Sequence, residues 1–167
     1  MSTQTTALFQ FDCWEAASHL IHLLVAYGLA VPVAWNREKE SRSAGIRTFP
    51  LVALGACGFA LLARAVFTSD EAQARVVYGI VTGIGFIGGG AILKERGHIS
   101  GTATAAAVWC MGAVGVAVAY DRLEVALVVT TLIAVTFVVV GKTKELVHDG
   151  QQPDPHESGR NGPPSDG

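Results

Sequence analysis

Five apolar stretches, each about as long as a bilayer-spanning helix, follow one another through the chain and dominate what it can fold into. A membrane helix needs about 20 mostly apolar residues, within a range of about 17–25. The stretches cover about residues 14–35, 50–67, 76–93, 102–119 and 123–140. The fifth, LEVALVVTTLIAVTFVVV, is rich in β-branched residues, but it is far longer than the 4–8 residues of a buried strand. Short connections make successive helices antiparallel neighbours. Asp70-Glu71 falls in one turn, and Asp121-Arg122 is nearly the whole of another. The expected fold is an all-α membrane bundle of about five helices.

Composition narrows the function classes. Of 167 residues, 50% are hydrophobic and 16% charged, against about 25% charged in an average soluble domain. Disorder over most of the chain is excluded, and an ordinary soluble enzyme is disfavoured. A net charge of −2 leaves no basic footprint for nucleic acid. Cys13, Cys57 and Cys110 make neither a disulfide framework nor a short-spaced metal motif. Residues 1–13 contain no Lys or Arg, so this N-terminal segment does not read as a cleaved signal. Residues 14–147 form the transmembrane unit. From His148 the sequence turns Pro-, Gly- and Asp-rich without apolar periodicity, and residues 148–167 read as a disordered polar tail.

Orientation follows Lys and Arg in short loops. Arg37, Lys39, Arg42, Arg47, Lys94, Arg96, Lys142 and Lys144 fall on one side, against Arg64, Arg75 and Arg122 on the other. The N-terminus is therefore expected outside and the C-terminus in the cytoplasm. Trp14 and Trp35 bracket the first span and suit interfacial belts. Pro32 is expected to kink or terminate that span, and Arg64 to snorkel from a helix end.

The third span carries the densest pattern, Gly79, Gly83, Gly85, Gly88, Gly89 and Gly90. Gly79 and Gly83, like Gly85 and Gly89, have the small-xxx-small spacing of a helix contact face. Tight packing against the Ala- and Gly-rich fourth span is one reading. A flexible or broken helix lining a pore is the other. No Gly-Lys-Ser/Thr follows the run, so it is not a phosphate-binding loop. Beyond it, Lys94-Glu95-Arg96 sits where the third helix should leave the membrane. It reads either as a solvated helix end or as a site at the cytoplasmic mouth, with Glu95 holding a cation or a proton. Thr102 and Thr104 open the fourth span and can cap it or bond across helices. His19 and His22 share a helical face and are weak metal or relay candidates. No nucleophile–base set or H-E-x-x-H motif is present, so the chain is not expected to be an enzyme.

Three consecutive blocks then carry a resemblance. Ser43–Ala56 reads SAGIRTFPLVALGA, the third span reads GIVTGIGFIGGGAILKERGHISG, and the next reads TATAAAVWCMGAVGVAVAYD. In order and spacing, over roughly residues 20–140, they resemble the MgtC/SapB family. Gly45, Arg47, Thr48, Gly83, Gly85, Gly88, Gly90, Glu95, Trp109 and Cys110 match its pattern. Asn36, Ser100 and Ala103 depart from it, which removes a carboxylate and an arginine. The resemblance implies a bacterial inner-membrane protein of five helices, associated with magnesium homeostasis, growth at low magnesium and, in pathogens, survival inside host cells. It implies a modulator of membrane partners, ATP synthase among them, in a form without the family's C-terminal soluble domain. The alternative is an oligomeric transporter or channel for Mg²⁺ or protons. No cofactor is expected, with Mg²⁺ itself the possible exception. The partners expected are the lipid bilayer, further copies of the chain and a membrane protein, and not nucleic acid. Arg37, Arg47, Thr48, Glu95 and Thr104 are expected to form a polar cluster at the cytoplasmic face. The third-span glycines with Trp109 and Cys110 are expected to be packing residues.

Overall fold

The computed structural model describes the backbone of residues 12–38, 47–95 and 98–149, and the side chains of these except 37, 38, 93, 95, 98 and 140–149. The segment 1–11, the basic loop 39–46 and all but the first two residues of the expected polar tail lie outside the described residues.

The described residues form five helices and one hairpin: α1 (Cys13–Glu38), α2 (Thr48–Val66), α3 (Asp70–Gly90), β1 (Leu93–Glu95), β2 (His98–Ser100), α4 (Thr102–Ala119) and α5 (Leu123–Asp149). Among the described residues three helices are long and apolar enough to cross a membrane, over Cys13–Asn36, Thr48–Val66 and Thr102–Ala119, with a shorter apolar helical stretch at Leu123–Val139. Large apolar side chains cover the outside of the bundle, Trp14, Leu24, Phe59 and Leu132 among them. The chain is an all-α membrane protein.

Local chemistry sets the helix ends. Asp12 precedes α1, and its Oδ1 accepts from the Trp14 amide at 2.8 Å, satisfying one of the orphan donors of a helix start. Ser69 does the same for α3, accepting from the Ala72 amide at 3.3 Å. Asp70 and Glu71 therefore lie in the first turn of α3 rather than in the preceding loop, where their charge suits the helix dipole. Pro32 stands inside α1 without ending it. The residue four positions back, whose carbonyl a proline ring crowds, is Gly28.

The third helix stops at Gly90, short of the expected exit near Leu93. Three consecutive glycines weaken helix propagation, and Leu93–Glu95 pairs antiparallel with His98–Ser100 instead. The charged Lys94-Glu95 pair thus sits on a hairpin, not on a helix end. Gly101 joins the hairpin to α4 at φ +86°, a left-handed conformation that glycine alone adopts without steric cost.

The core is organised around α4. It is apolar around its circumference, as suits a helix packed inside a bundle, and it leaves one face, with Ala106, Trp109 and Ala113, exposed. Met111, Val108, Val114 and Val118 are fully or almost fully enclosed by α1, α2, α3 and α5. Two of its own glycines bring neighbours close. A Cβ at Gly115 would overlap the Ala53 carbonyl oxygen of α2, and one at Gly112 would overlap the Cδ1 of Ile84 on α3. With no hydrophobic drive between helices in lipid, such small-residue contacts let van der Waals packing hold the bundle. The hydroxyls of Thr82 and Thr136 donate to the carbonyls of Tyr78 and Leu132 one turn earlier, at 2.9 and 2.7 Å. Their polar atoms are satisfied inside their own helices, as a bilayer demands.

Candidate functional site

Alternating helices place the charged residues at two ends. One end holds the close of α1, the start of α2, the hairpin and the start of α4. Arg37, Arg47, Thr48, Glu95 and Thr104 all belong to it. Arg47 is exposed in the position before α2 and makes no side-chain cap there. Thr48 is half-buried, and Thr104 is fully buried in the first turn of α4. The side chains of Arg37 and Glu95 lie outside the described residues, so the part of the expected polar cluster that they make has no described geometry.

The glycines of α3 behave differently from the expectation of uniform packing against α4. Only Gly88 is held closely: a Cβ there would stand 3.0 Å from the Ala105 carbonyl oxygen. Gly79, Gly83, Gly85, Gly89 and Gly90 meet nothing within 4 Å. The buried face of α3 is the narrow stripe Ile80, Ile84 and Gly88, one residue every four, which is a single helical ridge. Phe86, on the other side, is 86% exposed. Trp109 points half out of the bundle and Cys110 is half-buried. The glycines that do press α4 against its neighbours, Gly112 and Gly115, stand three apart on α4 itself. Their three-residue spacing was the available signal, masked by the richer run in α3.

The opposite end carries a network absent from sequence reasoning. His22 of α1 lies with Nε2 2.8 Å from Asp121 Oδ1 and Nδ1 2.7 Å from the Ser18 carbonyl oxygen. Both ring nitrogens face acceptors, and only a ring protonated on both can donate to each. Arg64 of α2 donates to Asp121 Oδ2 at 2.9 Å, to the Ala119 carbonyl oxygen, and stands 5.7 Å over the Tyr120 ring. Tyr120 donates to Gln73 Oε1 of α3 at 3.1 Å. Asp121 sits at φ +59° in the α4–α5 turn, a conformation that Asp tolerates better than most residues. One carboxylate thus receives α1 on one oxygen and α2 on the other, and Tyr120 beside it reaches α3. Arg64 does not simply snorkel; it is anchored.

The cluster does not fit magnesium. His22 is committed to Ser18 and Asp121, and the Arg64 guanidinium occupies the other Asp121 oxygen. Magnesium wants an octahedron of oxygens and several retained waters. Among the described residues no group of three or more His, Cys, Asp or Glu is placed to hold a metal. Asp12, a possible partner for the histidines by proximity in sequence, caps α1 instead.

The donated bonds from His22 first, then from Arg64, hold the Asp121 carboxyl below its ordinary 3.8. The sign follows by linkage. Its contribution is fully present above about pH 3.8 and disappears as pH falls through the lower folded value. Asp121 is 62% exposed, so the contribution is modest. In thermal melts of detergent-solubilised protein, the stability gap between wild type and Asp121→Asn should be open at about pH 5 and close below about pH 4. A gap unchanged down to about pH 2 would contradict a charged Asp121.

Comparison with known sequences agrees with this architecture. The MgtC family model matches residues 23–146. Protein MgtC of Salmonella typhimurium (strain 14028s / SGSC 2262) is 36% identical over 115 residues, covering 69% of this chain and 49% of that protein. Protein MgtC of Brucella abortus (strain 2308) is 38% identical over 121 residues, covering 72% of this chain and 50% of that protein. The chain spans about half the length of the curated relatives it matches. No solved structure matches. With a family match running from within α1 through all the intervening helices into α5, the chain belongs to the MgtC family.

Proposed function

We propose that the chain is a multi-pass protein of a bacterial inner membrane that serves magnesium homeostasis and growth at low Mg²⁺ by binding membrane partners, rather than by carrying ions or catalysing a reaction. In this reading the N-terminus is outside, and the basic end with Arg47 and the hairpin faces the cytoplasm, following the Lys and Arg bias of its loops.

The observation that carries the modulator reading over transport is the content of the bundle axis. α4 fills it with Val108, Met111, Val114 and Val118, and the buried polar side chains among the described residues are Thr104 and Thr130. A hydrated divalent cation passing through one protomer would have to shed waters against apolar walls, with no buried carboxylate among the described residues to replace them. The outside of the bundle supports the partner half of the reading. The open glycines Gly85 and Gly89 of α3, beside the exposed Tyr78 and Phe86 and outside the α2–α3 cleft, offer a close-approach surface to another membrane helix, of ATP synthase or of a second copy. Arg47 and Glu95 are the polar contact groups at the cytoplasmic end.

The test is growth at low Mg²⁺ of a bacterium deleted for its own family member. Expression of this chain should restore growth, and Arg47→Ala or Glu95→Ala should reduce the restoration at an unchanged membrane level. Full restoration by both variants would remove the polar-end role; no restoration by inserted wild type would remove the magnesium-related reading.

A further inference from the structure

A cavity of about 690 Å³ opens between α2 and α3. Its walls include Thr48, Gly55 and Phe59 on α2 and Gly79, Gly83 and Ile87 on α3. The three glycines have nothing within 4 Å where a Cβ would stand, so missing side chains create the space. The two helices are tied at one end by the short turn after Val66, where Gln73 Nε2 donates to the Phe67 carbonyl oxygen at 2.8 Å. The lining runs on α2 from Thr48, its first residue, to Phe59, and on α3 from Ile87 back to Val76, so it stops short of that turn. This cavity, a wedge of space between the two helices, lies toward the Thr48 end of the bundle.

We propose that this wedge holds one acyl chain of an anionic phospholipid, with the headgroup phosphate at Arg47. Three observations choose this occupant. The first is depth. From Thr48 to Phe59 a helix rises about 17 Å, close to half of the ~30 Å hydrocarbon core. A chain from one leaflet ends at that depth, whereas a helix of a second copy crosses the whole core and needs a seam running on past Phe59 and Val76. The second is polarity: apart from the Thr48 hydroxyl at the mouth, the walls named above carry no polar side-chain atom. The third is charge. Arg47 is exposed immediately before Thr48. Lys94 of the hairpin is exposed at the same end, and in sequence the segments 37–47, 94–96 and 142–145 carry eight Lys and Arg against four Glu. A guanidinium pairs with phosphate through charge-assisted, often bidentate bonds, and a surplus of basic residues at a membrane surface favours anionic lipid.

The site is tested with the full chain purified in detergent, by native mass spectrometry during titration with phosphatidylglycerol and with phosphatidylcholine of the same acyl chains; inorganic phosphate is the headgroup control. Wild type should retain one phosphatidylglycerol per protomer and should not retain phosphate alone. Gly83→Leu places a side chain into open space, so it fills the wedge without an internal clash and should lose both lipids. Gly79→Leu is the second variant on the same wall, and unchanged helical circular dichroism shows that each still folds. Arg47→Gln should drop phosphatidylglycerol retention to the phosphatidylcholine level, by about tenfold, the scale of one lost charge-assisted hydrogen bond. The proposal is overturned if wild type retains no lipid, if folded Gly83→Leu and Gly79→Leu retain it as wild type does, or if Arg47→Gln leaves the headgroup preference intact. It is also overturned if lipid-free wild type is a dimer that these glycine variants convert to monomer, which would make a second copy the occupant.

Discussion

Gly115→Ala should cost the bundle about 3 kcal/mol, the upper part of the range for overpacking a close-packed site. The added methyl would overlap the Ala53 carbonyl oxygen, and it would also stand 2.9 Å from both the Ala56 Cβ and the Cys57 amide nitrogen. Two of these three are backbone atoms of α2, so no rotamer change relieves the clash; the helices must separate. The contact lies between the central helix and the neighbour it packs against most extensively, so separation is felt through the core. The folded fraction in mixed detergent, followed by near-ultraviolet dichroism, checks it. Gly83→Ala is the control, because its Cβ meets nothing within 4 Å and alanine favours a helix interior over glycine by about 1 kcal/mol. Equal stabilities of the two variants would contradict the packing described for α4.

The second large effect is expected at Gly101. Its φ of +86° is one that L-residues rarely adopt, and a Cβ there would overlap the Ala91 carbonyl oxygen. The left-handed conformation alone costs an L-residue roughly 1–2 kcal/mol. The overlap brings the expected loss for Gly101→Ala to about 2–4 kcal/mol. The residue joins the hairpin to α4, and the Gly101 carbonyl accepts from the Ala105 amide at 2.8 Å, within the opening turn of the helix. Loss of protease resistance at the Leu93–Ser100 hairpin should accompany the loss of stability. Gly90→Ala, eleven residues earlier in open space, should show neither.

The apolar pattern made the helices legible. For α4 the expected limits and the observed ones coincide at residues 102–119, since Gly101 and the Tyr120-Asp121 turn bound an unbroken apolar run. Ends governed by finer chemistry were less legible. Ser69 starts α3 through one hydroxyl bond, and the glycines before Ala91 end it early; neither effect alters hydropathy enough to move a span boundary. The family blocks were also legible, because three motifs in order and spacing carry more information than one. The Asp121 network was not. Its members are 57 and 99 residues apart in sequence, so only the antiparallel packing of five helices brings them together. The third helix holds more glycines, although the closest contacts between helices belong to Gly112 and Gly115 of α4. Abundance of glycine marks where a helix can be approached, while the identity of the approaching group depends on neighbours elsewhere in the chain.

The central claim, that this membrane bundle modulates partners and does not itself conduct magnesium, is tested most directly by Mg²⁺ uptake into proteoliposomes containing the purified chain, beside empty vesicles and a Glu95→Ala variant. The apolar axis around α4 predicts uptake no faster than in empty vesicles, for folded protein verified by its helical dichroism. Saturable uptake above that level, lost in Glu95→Ala, would contradict the account and place a magnesium path at the basic end of the bundle.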